Sequence, residues 1–296
     1  MPAQKKYLNP EFLARLARLD LKARLVVEGF LSGLHQSPYK GFSQEFADYR
    51  QYMPGDEPKR IDWKVFGRSD RFYIKEYREE TNLRAYILLD ISGSMGFGDK
   101  LSKLEYAKYL SASLAYMLFK QKDGVGIATF DTVIRDFVPP SSRKINFMHI
   151  LEVIERASSG GETSLANVLL QLAQKIKRRG LVILISDLFD ESATVLRSLR
   201  SFRYRKHEIL VFQVLDPRES RFSYSELAVF FDLENREEMI IQPNVIRESY
   251  KRSIAQFLED YHRKMLESYI DYELLYTDTP YDKALFSYLQ KRSRLL

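Results

Sequence analysis

Three features of the sequence predict an α/β protein built on a mostly parallel sheet in three layers. Short, continuously apolar runs of strand length recur at 86–91, 181–186 and 208–215, which is how strands buried on both faces read. Between them lie longer segments whose apolar residues recur at three- and four-residue steps, the period of an amphipathic helix. Their alternation calls for helices on both faces of the sheet, because parallel neighbours have to be joined by crossovers.

Composition supports a folded chain. The 296 residues are 45% hydrophobic and 29% charged, ordinary globular usage that excludes disordered and fibrous classes. Cysteine is absent, which removes disulfide frameworks, thiolate zinc sites and cysteine nucleophiles. His35, His149, His207 and His262 lack ligand-like spacing. No apolar run approaches the roughly 18 residues that cross a bilayer, and residues 1–8 lack the apolar core of a signal peptide. A soluble, cytoplasmic protein without a membrane span is the expectation.

In chain order, residues 9–35 place Phe12, Leu13, Leu16, Leu21, Leu25, Phe30 and Leu34 at helical spacing, with Pro10 suited to a first turn. This basic amphipathic helix is expected to pack on its own domain rather than on a membrane. Ser37-Pro38-Tyr39-Lys40-Gly41 reads as a turn or linker, and residues 42–84 are dense in aromatics, charges and turn formers without a helical period. The strand 86–91 follows, then a helix over 101–121 carried by Leu104, Ala107, Leu110, Leu114 and Leu118. A strand at 126–130 is followed by a return strand at 133–138, which Pro139-Pro140 is expected to break. Helices are expected at 145–157 and 164–178, a strand at 181–186, a helix at 194–202 and a strand at 208–215. Residues 217–243 read as an inserted hairpin, 229–233 and 239–241 flanking Glu234-Asn235-Arg236-Glu237. A strand at 272–276 and, after Pro280, a helix at 282–292 close the chain. The domain reading is an N-terminal part, 1–84, packing on a sheet domain, 85–296. The block before the sheet and the 217–243 hairpin are expected to pack together as a small β-rich subdomain.

Ligands of such sheets bind at the carboxyl ends of the strands, and there the sequence concentrates its chemistry. Asp90-Ile91-Ser92-Gly93-Ser94-Met95 starts on the last residue of a buried strand and aims one carboxylate and two hydroxyls into a single concavity. These hard oxygens suit Mg²⁺ or Mn²⁺ and suit soft metals poorly. Thr163, in the flexible loop 158–164, and Asp187, at the end of the strand 181–186, reach the same sheet edge. Together, Asp90, Ser92, Ser94, Thr163 and Asp187 resemble the metal-ion-dependent adhesion site of von Willebrand factor type A domains. The resemblance implies one divalent cation, Mg²⁺ or Mn²⁺, held by these residues, some of them through water. Leu188 stands where that family often has glycine, which leaves the shape of the loop open. Two carboxylates neutralise a divalent ion, yet an octahedral cation wants six oxygens. A position is thereby left to water or to an acidic residue of another protein.

The block before the sheet runs from Glu45-Phe46-Ala47-Asp48-Tyr49-Arg50 through Pro54-Gly55-Asp56-Glu57 to Lys59-Arg60-Ile61-Asp62-Trp63-Lys64, with Arg68, Lys75 and Arg78-Glu79-Glu80 beyond. It is similar to the signature of a bacterial domain-of-unknown-function family (number fifty-eight) that places this block ahead of a von Willebrand A-like domain. The resemblance extends through Asp216-Pro217-Arg218-Glu219, Phe231-Asp232-Leu233-Glu234, Tyr250 and the closing segment with Ala284, Leu285 and Leu289. It implies partnership with MoxR-type AAA+ ATPases and a role as adaptor in the assembly or maturation of other proteins. By its residues alone the block is structural. Pro54-Gly55-Asp56 is a turn and Trp63 a packing anchor. Asp48, Arg50, Asp56, Arg60, Asp62 and Arg68 can form exposed ion pairs worth about 0–1 kcal/mol each.

Enzyme motifs are missing. Gly96-Phe97-Gly98-Asp99-Lys100 lacks the spacing and hydroxyl of a phosphate-binding loop, and neither a nucleophile elbow nor a His-Glu-x-x-His motif occurs. The expectation is therefore a non-enzyme that binds an acidic residue of the ATPase or of its client through the metal. Two alternatives stand beside it. One is a metal-assisted phosphoester hydrolase on Asp90 and Asp187, for which no general base is evident. The other is a nucleic-acid binder using Arg197, Arg200, Arg203, Arg205 and Lys206, drawn from the nine basic residues between 175 and 206 of a chain of net charge +6. Such charge runs more commonly mark solvated helix faces.

Overall fold

The computed structural model describes residues 18–35, 49–52, 66–67, 72–75, 83–161, 164–222, 224, 228–231 and 238–293. In chain order these form helix α1 (Leu19–His35), strands β1 (Tyr49–Gln51), β2 (Tyr73–Lys75) and β3 (Arg84–Asp90), helix α2 (Lys103–Lys120), strands β4 (Gly124–Phe130) and β5 (Ile134–Ser141), and helices α3 (Lys144–Arg156) and α4 (Leu165–Lys175). Strand β6 (Leu181–Ser186), helix α5 (Ser192–Tyr204), strand β7 (Glu208–Leu215), helix α6 (Pro217–Arg221), strands β8 (Ala228–Phe231) and β9 (Glu238–Ile241), helix α7 (Pro243–Glu267), strand β10 (Asp271–Tyr276) and helix α8 (Asp282–Ser293) follow. Residues 9–17 of the expected first helix lie outside the described residues, as do Asp48, Asp56, Arg60, Asp62, Trp63 and Arg68 of the block.

The chain divides into two compact units, one of Met1–Gly33 with Leu83–Leu296, the other of Leu34–Asn82. In the smaller unit β1 and β2 pair antiparallel, Tyr49 opposite Lys75. The Tyr52 N–H donates to the Phe72 carbonyl at 2.9 Å, and the Phe66 and Phe72 rings stack 4.4 Å apart.

In the larger unit a six-stranded sheet runs β10-β7-β6-β3-β4-β5, every neighbouring pair parallel except β4 and β5. This is the mostly parallel, three-layer architecture that the alternation of strands and helices predicts. The centre belongs to the most continuously apolar runs: all of β6 and everything in β3 after Arg84 are buried. On one face, Tyr86, Leu88, Val182 and Leu184 pack under α4, α5 and the Tyr261–Met265 turn of α7. The opposite face carries α2, α3 and α8.

Three differences from the sequence expectation have physical causes. Strand β5 continues through Pro139-Pro140 instead of stopping before them. It is an edge strand, and proline's missing N–H is tolerated there. Its neighbour helps: a Cβ on Gly126 of β4 would lie 2.5 Å from the Val138 carbonyl oxygen, so only glycine admits the irregular register. The stretch read as a hairpin also holds the short helix α6, begun by Asp216 in a capping box with Glu219. The longest helix, α7, occupies a stretch that periodicity left unassigned, because its face is a single narrow stripe on an otherwise charged helix. The hairpin β8–β9 does form, Phe231 opposite Glu238. It makes a two-stranded sheet of its own, as β1–β2 does.

Candidate functional site

The parallel register brings the ends of β3 and β6 together, Leu89 beside Ile185, so Asp90 and Ser186 leave the sheet side by side. Asp90 is fully buried. Its Oδ1 accepts from the Ser92 N–H at 2.9 Å and its Oδ2 from the Ser186 hydroxyl at 2.6 Å. A single 3-10 turn, Gly93–Gly96, then carries Ser94 back over Ser92, the two hydroxyl oxygens 3.2 Å apart. Asp90, Ser92 and Ser94 are thus gathered as their spacing predicts.

The loop that leads to Thr163 is stitched onto this turn. The Gly93 N–H donates to the Gly161 carbonyl at 2.9 Å, and the Gly160 N–H to the Ile91 carbonyl at 3.1 Å. Gly161 sits at φ +77°, in the left-handed region that favours glycine. Thr163 itself lies outside the described residues. Beyond it the Ala166 N–H, in the first turn of α4, reaches Oδ2 of Asp190 at 3.4 Å.

Asp187 follows β6 directly and is 1% exposed. Its loop takes the shape that the following residue left open: Leu188 adopts φ +59°, the conformation a glycine would favour, with its side chain fully buried. The Leu188 N–H donates to Ser186 Oγ at 3.0 Å and the Asp190 N–H to the Leu188 carbonyl at 2.7 Å. Gln213 of β7 donates to the Asp187 carbonyl at 2.7 Å and accepts from the Tyr272 hydroxyl at 2.6 Å.

Two residues of the site escaped sequence reasoning. Lys103, in the first turn of α2, has a fully buried side chain whose Nζ donates to Asp187 Oδ2 at 2.8 Å and to Glu219 Oε1 at 2.6 Å. The ring of Phe189 lies 4.7 Å from that ammonium. Glu219 is held from the other side, where its Oε2 accepts from the Asp216 N–H at 2.8 Å. The available signal was a lysine in the first turn of an apolar helix, where the macrodipole disfavours a cation.

The electrostatics follow from burial. Asp90 is pushed up to about 7, first by burial and then by the Asp187 charge, against the donors Ser186 and Ser92. Burial likewise raises Glu219. For Lys103, burial is the largest influence and acts downward, but Asp187 and Glu219 together outweigh it and hold the ammonium protonated. Asp187 and Glu219 pair with the Lys103 ammonium, and Asp90 adds a third buried carboxylate beside Asp187; when all four are ionised the cluster carries an excess of two negative charges in a water-poor place. A divalent cation neutralises that excess, and the oxygens of Asp90, Ser92, Ser94 and Asp187 are the hard donors that Mg²⁺ or Mn²⁺ prefers. Among the described residues no three His, Cys, Asp or Glu side chains form a ligand cluster of their own.

Comparison with known proteins gives a family and distant structural likenesses. Residues 48–259 match the family model described as "Protein of unknown function DUF58". An uncharacterized protein of Mycobacterium bovis is 26% identical over 261 residues, 86% of this chain and 81% of that protein. The uncharacterized protein YeaD of Bacillus subtilis is 26% identical over 105 residues, 36% of this chain and 24% of YeaD. Among solved structures, the conserved hypothetical protein BatB from Bacteroides thetaiotaomicron is 17% identical, covering 72% of this chain and 98% of that one with a TM-score of 0.48. The SpRpn10 VWA domain is 16% identical, covering 45% and 76%, with a TM-score of 0.34.

Proposed function

We propose, from the premise that this chain belongs to the DUF58 family of proteins of unknown function, that it is a non-catalytic, metal-dependent protein-interaction module. In this reading Asp90, Ser92, Ser94 and Asp187, with Thr163, hold one Mg²⁺ or Mn²⁺. When bound, the ion supplies a Lewis-acidic position for an acidic residue of a partner. The partner is a MoxR-type AAA+ ATPase or its client, and the chain acts as an adaptor in the cytoplasm. Among the described residues no helix is long and apolar enough to cross a membrane.

The observation that carries the reading is the pair of buried carboxylates, Asp90 and Asp187, beside paired serine hydroxyls at the carboxyl edge of the sheet. The binding role is preferred to hydrolysis because the sequence carries none of the enzyme motifs sought in it, and the two carboxylates are held in fixed orientations. Asp90 is hydrogen-bonded on both oxygens, and Asp187 accepts from the Phe189 N–H at 3.2 Å on one and from Lys103 on the other.

Electron paramagnetic resonance of Mn²⁺ with the wild-type chain, Asp90→Ala and Asp187→Ala tests the ion. Saturable binding in wild type and its loss in both variants is expected, and no binding at millimolar Mn²⁺ overturns the reading. Co-precipitation with a MoxR-type ATPase should then require Mg²⁺ and fail in EDTA. Turnover of a generic phosphoester with Mn²⁺, abolished by Asp90→Ala, would establish the hydrolase instead.

A further inference from the structure

Lys103 sits inside the site, and the proposed function gives it no task. Its ammonium projects from the first turn of α2, against the helix field, and is enclosed without exposure between Asp187 and Glu219. Its position is bound up with how each carboxylate is used. Asp187 commits Oδ2 to Lys103 at 2.8 Å. Asp90 commits Oδ2 to the Ser186 hydroxyl at 2.6 Å and Oδ1 to the Ser92 N–H at 2.9 Å. The donors on Asp90, and the Phe189 N–H at 3.2 Å on Asp187 Oδ1, are neutral and leave each oxygen a lone pair for a cation, whereas the donor on Asp187 Oδ2 is itself a cation.

Cations differ in what they ask of a carboxylate. Ca²⁺ fills a large, flexible shell and often takes carboxylates through both oxygens, whereas Mg²⁺ demands a compact octahedron and keeps several waters. We propose that Lys103, anchored by Glu219, is a positioning residue that determines ion selectivity. By occupying Oδ2 it limits Asp187 to one metal bond, and so sets the site for Mg²⁺ and Mn²⁺ against Ca²⁺. The inference rests on the reading of Asp90 and Asp187 as metal-holding carboxylates. Its second consequence concerns affinity. The ammonium sits on a carboxylate that would hold the ion, and like charge there would weaken the binding of every divalent cation. Glu219 serves by fixing the ammonium, and its own helix α6 is fastened to the end of β7 by the Asp216 capping box.

The test is displacement of bound Mn²⁺ by Mg²⁺ and by Ca²⁺, followed by electron paramagnetic resonance on the full chain. Wild type is compared with Lys103→Met and with the double variant Lys103→Met/Glu219→Gln. The double variant removes both members of the ion pair, so no second carboxylate is left buried without its cation, and circular dichroism confirms that it is folded. Ca²⁺ is expected to gain on Mg²⁺ as displacer by roughly tenfold or more, the scale on which residues behind the ligands tune metal sites. Mn²⁺ itself should bind more tightly to both variants than to wild type. An unchanged Ca²⁺-to-Mg²⁺ ratio in variants that bind Mn²⁺ overturns the role of Lys103 and leaves the metal reading standing. Absence of Mn²⁺ binding from wild type and both variants overturns the metal reading and this inference with it.

Discussion

Leu188 shows how one residue can keep a site's shape against its own conformational preference. A left-handed backbone costs a non-glycine residue about 1–2 kcal/mol, and Leu188 holds it at φ +59°. What offsets the cost is its fully buried side chain, which belongs to the core beneath α5. Leu188→Gly relieves the backbone and empties that place in the core, a loss of about 2–5 kcal/mol for leucine truncations. The variant should therefore be destabilised by a net of about 1–3 kcal/mol in urea unfolding, from the balance of those two effects. A Leu188→Gly protein as stable as wild type would show that the side chain is not what holds the loop.

At the scale of elements, α7 is the buttress of the Asp187 loop. Ile254, Phe257, Tyr261 and Met265 recur at steps of three and four residues, and the Tyr261 hydroxyl donates to the Asp190 carbonyl at 3.1 Å. Phe257 meets Phe189 with ring centres 5.6 Å apart, which continues the support to the residues after Asp187. Tyr261 is fully buried, so Tyr261→Ala should cost about 3–5 kcal/mol. Tyr261→Phe, which removes only the hydrogen bond, should cost about 1 kcal/mol. Urea unfolding of the pair measures both, and equal costs would mean that the hydroxyl, not the packing, is what α7 contributes.

Across the larger unit, the parallel sheet separates two chemistries. The carboxyl ends of the strands hold Asp90 and Asp187, whereas Lys177, Arg178 and Arg179 before β6, and Arg205 and Lys206 before β7, are exposed at the amino ends. Of the residues behind the nucleic-acid alternative, Arg205 and Lys206 therefore lie at the opposite ends of the strands from Asp90 and Asp187, whereas Arg197, Arg200 and Arg203 are spread along α5. His207 is buried among them, its Nε2 3.3 Å from the Ile176 carbonyl oxygen and its Nδ1 without a partner. Burial lowers its proton affinity below the ordinary histidine value. The unfolded chain takes up that proton near pH 6.5, so the contribution of neutral His207 is complete above that pH and is lost as pH falls through its folded value. Unfolding midpoints measured from pH 7.5 to 5.5 should fall more steeply for wild type than for His207→Met. Parallel profiles would remove His207 from the acid sensitivity of the fold.

Periodicity is a local property, and what depends on it was legible in the residues themselves. The apolar runs of β3, β6 and β7 reveal strands buried on both faces, and the strand-terminal positions of Asp90 and Asp187 follow from where those runs end. Ser92 and Ser94 were legible for the same reason, since a short turn keeps neighbours in sequence neighbours in space. Pro139-Pro140 misled because their tolerance depends on β5 lying at the edge, a fact of sheet order. Helix α7 was hidden because one buried residue per turn is a weak signal on a charged helix. The partnership of Lys103 with Glu219 spans 116 positions, and no local pattern marks it. Tertiary structure alone decided it, because a buried ammonium is stable only where the fold brings carboxylates to meet it.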